Sequence, residues 1–253
     1  MDIFKAIFLG ALQGLTEFLP ISSSGHLLIF QKILKLNPDI PFILYLHLGT
    51  TFSLIFFLFS LIKKEIKNKN YFLLLKIIIA LIPIIIIVLP FQNIIEKTFS
   101  NFYFLPYFFL ISSLLIFFTK YTKEKFFSIN YFQSLVIGIF QTLGIFPGIS
   151  RSGSTIAGAL YLGIKKEEGF YFSFLLGLPT IIGANVLEFY KNTSLLFTLP
   201  YFFGFLSSFL FGLFALYFLK YLVIKRKFYY FSYYLFFLFI LLLIDNLKIL
   251  RIF

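Results

Sequence analysis

Residues 13–26 run Gln13-Gly14-Leu15-Thr16-Glu17-Phe18-Leu19-Pro20-Ile21-Ser22-Ser23-Ser24-Gly25-His26. Proline lacks a backbone donor and pushes the residue before it out of the helical region, so a helix entering this stretch must stop before Pro20. Ser22, Ser23 or Ser24 can cap a helix that restarts beyond it. Gln13 and Glu17 stand four apart and therefore share one face of the first helix. A second stretch, Pro147-Gly148-Ile149-Ser150-Arg151-Ser152-Gly153-Ser154-Thr155, interrupts another apolar region in the same manner.

Around these breaks the chain is unusually apolar. Hydrophobic residues make up 60% of its 253 positions, mean hydropathy is +0.97 and only 13% are charged, against about 25% charged in soluble domains. Runs of about 20 apolar residues, each long enough to cross a bilayer, recur along the chain. They lie near 41–62, 71–90, 102–119, 169–190, 198–219 and 228–247, which predicts six full crossings in a single all-α polytopic membrane domain spanning 1–253. The segments 3–36 and 131–164 are too broken to be simple spans. Irregular backbone at membrane depth is tolerated where protein or a wet cavity surrounds it, so each is expected to be a re-entrant helical hairpin.

The net charge of +12 is explained by position. Lys63, Lys64, Lys67 and Lys69 form one cluster, Lys120, Lys123 and Lys125 a second, and Lys220, Lys225, Arg226 and Lys227 a third. With six crossings all three fall on one side, with Lys165 and Lys166, as the positive-inside rule requires of the cytoplasmic face. Loops near 91–101 and 191–197 would face outward, and both termini with them. Scattering over separate loops argues against nucleic acid, which needs one contiguous basic face. The first 20 residues are not expected to be a cleaved signal, since Gln13, Glu17 and Pro20 interrupt their apolar run and no small-residue cleavage site follows. There is no cysteine, so disulfides and thiolate metal sites are excluded.

The two breaks also match each other. Gly10 and Gln13 recur as Gly138 and Gln141, Phe18-Leu19-Pro20 as Ile145-Phe146-Pro147, and Ser24-Gly25 as Ser152-Gly153, at separations of 127 or 128 residues. Three crossings lie between, so the halves, about 1–119 and 131–247, are expected to form an inverted-topology repeat whose tips share a central site.

The residues at the tips suit an anion. Helix N-termini attract negative charge, and Arg151, the one arginine outside the loops and terminus, carries a planar fork suited to phosphate. Gly148 and Gly153 allow close backbone approach, and Ser22, Ser24, Ser150, Ser152 and Thr155 add hydroxyls. A buried Arg151 needs a counter-charge, so Glu17 or a bound anion is expected beside it. Serine and glycine also serve plain helix packing, but here acid, His, hydroxyls and Arg converge in two matching breaks. His47 is expected to bond a neighbouring helix, and Glu188 to lie at an interface near Lys191.

These two stretches closely resemble the signature motifs of the undecaprenyl-diphosphatase family, the bacitracin-resistance membrane phosphatases, in order, separation and chain length. The resemblance implies hydrolysis of undecaprenyl diphosphate to the monophosphate on the outer side of the bacterial inner membrane, recycling the carrier of cell-wall precursors. It implies Glu17, Ser23, His26 and Arg151 as catalytic positions. The family pattern usually begins with Glu where this chain has Gln13, which leaves one carboxylate fewer. On this reading Arg151 grips phosphate and Glu17, with Gln13, holds a divalent cation, Mg2+ or Ca2+. Ser23 is the preferred nucleophile, with His26 as its base; attack by His26 or by water is equally open to the sequence. The expected partners are a polyprenyl diphosphate lipid, the membrane and a second copy of the chain in a homodimer. A flippase of polyprenyl phosphate is the alternative, since inverted repeats with broken helices also build transporters.

Overall fold

The computed structural model describes residues 2–34, 40–87, 89–91, 102–191 and 198–246, and among them it is helical, with a single isolated bridge between Phe126 and Ile164 as its only β pairing. The helices are α1 (Ile3–Phe18), α2 (Ser23–Leu34), α3 (Ile40–Lys67), α4 (Tyr71–Ile87), α5 (Leu105–Phe117), α6 (Tyr131–Leu143), α7 (Arg151–Tyr161), α8 (Lys166–Lys191), α9 (Leu199–Ile224) and α10 (Tyr230–Asn246). Among the described residues, four segments are long and apolar enough to cross a membrane: Pro41–Lys67, Phe102–Tyr121, Lys166–Tyr190 and Leu199–Ile224. The apolar helices α4, α6 and α10 are shorter. Large apolar side chains such as Phe4, Phe56, Phe214 and Phe237 point outward. That arrangement suits a hydrocarbon solvent and would be insoluble in water.

Both expected breaks are present. α1 stops at Phe18, and Leu19 turns to extended backbone ahead of Pro20. α2 restarts at Ser23, with the Ser22 hydroxyl accepting from the Gly25 amide at 3.3 Å. In the second break Ser150 caps α7 by accepting from the Gly153 amide at 3.0 Å. The expected loops near 91–101 and 191–197, and the Lys191 side chain expected beside Glu188, lie largely or wholly outside the described residues.

Packing follows small residues. α1 lies against α9, which also packs on α3, while α6 lies against α4 and α5 against α10. A Cβ on Gly10 would sit 2.4 Å from the Gly204 carbonyl oxygen, and one on Gly14 would sit 2.5 Å from that of Ser208. Without a hydrophobic drive between helices in lipid, such close approach supplies the van der Waals attraction that associates them. The α6–α4 contact is tighter still: a Cβ on Gly138 would fall 2.2 Å from the Ala80 carbonyl oxygen.

Basic residues of the second and third clusters gather beside Lys166. Lys166 pairs with Glu124 and holds that carboxyl below the ordinary carboxylate range. Lys120, Lys166 and Arg226, from three different connections, line one small cavity.

Gly138→Ala is expected to destabilise the protein by about 1–3 kcal/mol, as overpacking does. Gly183→Ala is expected to be neutral, because nothing lies within 4 Å of its added Cβ. Thermal unfolding of both variants in the same detergent checks the contrast.

Candidate active site

The two breaks touch at their tips. The Gly148 amide donates to the Ser22 hydroxyl at 3.0 Å, and the Ser152 hydroxyl donates to the Phe18 carbonyl at 2.9 Å. A Cβ on Gly25 would lie 3.3 Å from the Gly148 Cα. Ser22 has φ 71° and Gly148 φ 101°. A non-glycine residue held there stores about 1–3 kcal/mol of strain. Ser22 is held by its hydroxyl bonds and by its carbonyl, which receives the His26 amide at 3.2 Å and faces His26 Nδ1 at 2.8 Å.

At this junction α2 begins with Ser23 and α7 with Arg151. Glu17, the next-to-last residue of α1, joins them. Its Oε2 accepts from Ser23 Oγ at 2.7 Å and from Gln13 Nε2 at 3.0 Å, while its Oε1 lies 3.6 Å from Arg151 Nη2. The Glu17 and Arg151 side chains are only 11% and 14% exposed. Removing one member of such a pair leaves an uncompensated charge at about 3–5 kcal/mol.

Arg151 has more donors than this pairing uses. Its Nη1 and Nη2 are buried and make no hydrogen bond within the protein. Unpaired buried donors on a cation are rare and call for an explanation; an anionic ligand supplies one. The space they occupy is made by glycine: a Cβ on Gly177 of α8 would fall 1.7 Å from Nη1, and one on Gly144 would fall 2.6 Å from Arg151 Cα and Cβ.

Of the residues predicted for the site, Gln13, Glu17, Ser23 and Arg151 are brought together, and the expected Glu17–Arg151 pairing is present. The hydroxyls expected to cradle phosphate are otherwise engaged. Ser22, Ser150 and Ser152 cap and cross-tie the breaks, Gly148 donates to Ser22, and Thr155 bonds Ser173 and the Arg151 carbonyl. Ser24 is exposed and lies 3.3 Å from the Ser22 hydroxyl.

His26 differs from the expected base for Ser23. Its Nδ1 faces a carbonyl, which can only accept, so Nδ1 carries the proton and Nε2 accepts from the Tyr234 hydroxyl at 2.7 Å. Both ring nitrogens are therefore occupied, and the partner of Ser23 is Glu17. Tyr234, Gly177 and Gly144 were not singled out by sequence. Tyr234 is one of 16 tyrosines, and its partner lies 208 residues away, so no local pattern marks it.

Gln13 keeps one buried oxygen, Oε1, without a partner. Among the described residues no group of three His, Cys, Asp or Glu stands together as a metal site.

Residues 6–241 match the family model described as bacitracin resistance protein BacA. The chain is 43% identical over 232 residues to the undecaprenyl-diphosphatase of Thermosipho africanus, covering 87% of this chain and 91% of that one. It is 40% identical over 232 residues to the undecaprenyl-diphosphatase of Methanococcus maripaludis strain C5, covering 88% and 92%. To that of Thermotoga sp. strain RQ2 it is 37% identical over 218 residues, covering 85% and 88%. With the family model matching nearly its whole length and relatives of this identity covered over most of theirs, the chain belongs to the BacA family.

Proposed function

We propose that this protein hydrolyses undecaprenyl diphosphate to undecaprenyl phosphate and inorganic phosphate, recycling a lipid carrier of cell-wall precursors. The carrying observation is the buried Arg151 guanidinium, ion-paired with Glu17 through Nη2 but with neither Nη group hydrogen-bonded, beside a serine hydroxyl already bonded to that carboxylate. The names of the relatives supply the lipid.

In this mechanism the terminal phosphoryl group enters between the N-termini of α2 and α7, whose dipoles favour an anion. Arg151 donates its free N–H groups to phosphoryl oxygens and stabilises the charge that spreads over them in the transition state. Ser23 Oγ attacks the terminal phosphorus as Glu17 takes its proton, and the bond to undecaprenyl phosphate breaks. Glu17 passes that proton to the departing undecaprenyl phosphate, then takes one from the water that attacks the phosphoserine and returns it to Ser23 Oγ as the serine P–O bond breaks, freeing inorganic phosphate and restoring Ser23. His26 acts on this reaction by gripping the Ser22 carbonyl, fixing the strained turn that presents Ser23, and Tyr234 fixes His26.

A divalent cation, Mg2+ or Ca2+, is proposed at Glu17 and Gln13 Oε1. One carboxylate and one unpartnered amide oxygen suit a cation whose other ligands are substrate phosphates and water. When bound it would neutralise diphosphate oxygens.

The membrane arrangement proposed is six crossings and two re-entrant hairpins in an inverted repeat, with the basic loops cytoplasmic and the site and termini on the outer side of the bacterial inner membrane. Helices α4 and α10, of 17 residues each, extend about 25 Å, near the lower limit for a span. Repeat-related contacts support this reading. α1 packs on α9 as α6 packs on α4, with Gly10 and Gly138 at equivalent points of closest approach. Gln13 bonds His47 of α3 as Gln141 receives a bond from Thr180 of α8.

Purified protein is expected to release phosphate from undecaprenyl diphosphate, to lose this with EDTA and regain it with Mg2+. Ser23→Ala and Arg151→Ala are expected to lower kcat/KM by at least about 100-fold, the scale of losing a transition-state contact. Lipid translocation by a wild type that releases no phosphate would replace this reading with the flippase. Gly177→Ala is expected to mimic much of the Arg151→Ala loss by displacing the guanidinium, and a Gly177→Ala variant with wild-type kinetics would remove Arg151 from the geometry described.

A further inference from the structure

The bonds that orient Glu17 continue beyond α1. Gln13 Nε2, 3.0 Å from Glu17 Oε2, also lies 3.2 Å from His47 Nδ1 on α3. An amide nitrogen has two N–H donors and does not accept. With one N–H on Glu17, the other points to His47 Nδ1, which accepts it. The reversed amide would set its oxygen 3.0 Å from a carboxylate oxygen, acceptor against acceptor, so hydrogen-bond chemistry fixes the assignment.

His47 is anchored in turn. The Thr50 and Thr51 hydroxyls donate to its carbonyl at 2.9 and 2.7 Å, and Asn185 of α8 donates to Thr51 Oγ1 at 2.8 Å. Two residues on, Gly49 packs so closely on α9 that an added Cβ would sit 2.5 Å from the Phe205 carbonyl oxygen. α3 therefore presents Nδ1 from a fixed place, and the fully buried Gln13 side chain spans from it to the carboxylate.

We infer that His47 is a positioning residue for the hydrolysis, acting through the Gln13 amide to orient the carboxylate that receives the Ser23 proton. This rests on the phosphatase reading above. Without the Nδ1 acceptor, the amide is free to rotate and Glu17 Oε2 loses the donor that holds it toward Ser23. His47 itself bonds neither Arg151 nor Gln13 Oε1, the groups proposed to meet the phosphates and the cation, so the effect is expected on turnover more than on substrate binding.

The test is steady-state kinetics on undecaprenyl diphosphate for His47→Leu, His47→Asn, Gln13→Leu and the double variant His47→Leu with Gln13→Leu, each checked for thermal stability. His47→Leu is expected to lower kcat about 10-fold, the scale of losing a group that orients a functional side chain, with KM within about twofold. Asparagine places an acceptor oxygen where Nδ1 stands, so His47→Asn is expected to recover kcat to within about threefold of wild type. In the double variant the leucine at 47 is expected to add no further loss, since both changes cut one chain of bonds. Equal impairment by Leu and Asn, a loss carried by KM, or multiplied losses in the double variant would overturn the inference. An unchanged His47→Leu beside an active wild type refutes this inference alone, whereas an inactive wild type refutes the phosphatase reading.

Discussion

A helix interrupted inside a protein that offers lipid no water must satisfy its freed backbone groups from within, and the tip-to-tip hydrogen bonds of this protein answer that requirement. Ser22 Oγ accepts the Gly148 amide from the opposite break as well as its own Gly25 amide, and Ser152 Oγ returns a bond to the Phe18 carbonyl. Each break thus completes the other. The same bonds bring the starts of α2 and α7 together, so a solution to a backbone problem also creates a place where two helix N-termini meet. Glu17 and Arg151 neutralise each other there, while the guanidinium keeps donors for a ligand.

On the proposed repeat, chemistry has divided between the halves. Ser23 and Arg151 occupy corresponding positions at the first residue of their helices. The counterpart of Glu17 is Gly144, whose missing side chain is the space Arg151 uses. One half supplies hydroxyl and base, the other supplies the cation, and neither break holds both.

Much of this was legible in residues 13–26 and 147–155, because helix stops at proline and restarts at serine are local events decided by a few dihedrals and caps. The Glu17–Arg151 pairing followed from the expense of burying a lone charge. The roles of the serines were less legible. Their density suggests a phosphate cradle, yet most of the hydroxyls hold the breaks together, since composition cannot say whether a donor faces protein or ligand. That Ser23 bonds Glu17 and not His26 was illegible for a similar reason. His26 is three residues from Ser23 and has a suitable acidity in general, but its ring turns toward the Ser22 carbonyl and a tyrosine from α10. That long-range choice leaves no trace in spacing, and neither does the room Gly177 makes for Arg151. His47 was expected only to bond a neighbouring helix; which helix, and that its partner touches the carboxylate, needed the fold.

The central claim is that Ser23, already bonded to Glu17, is the atom that attacks phosphorus. The stereochemical course at the terminal phosphorus, followed with a terminal phosphorothioate made chiral by sulfur and two oxygen isotopes and hydrolysed in water carrying the third, tests it whether or not an intermediate accumulates. Two successive in-line displacements, first by Ser23 and then by water, predict net retention of configuration; inversion would mean that water attacks directly and would contradict the account.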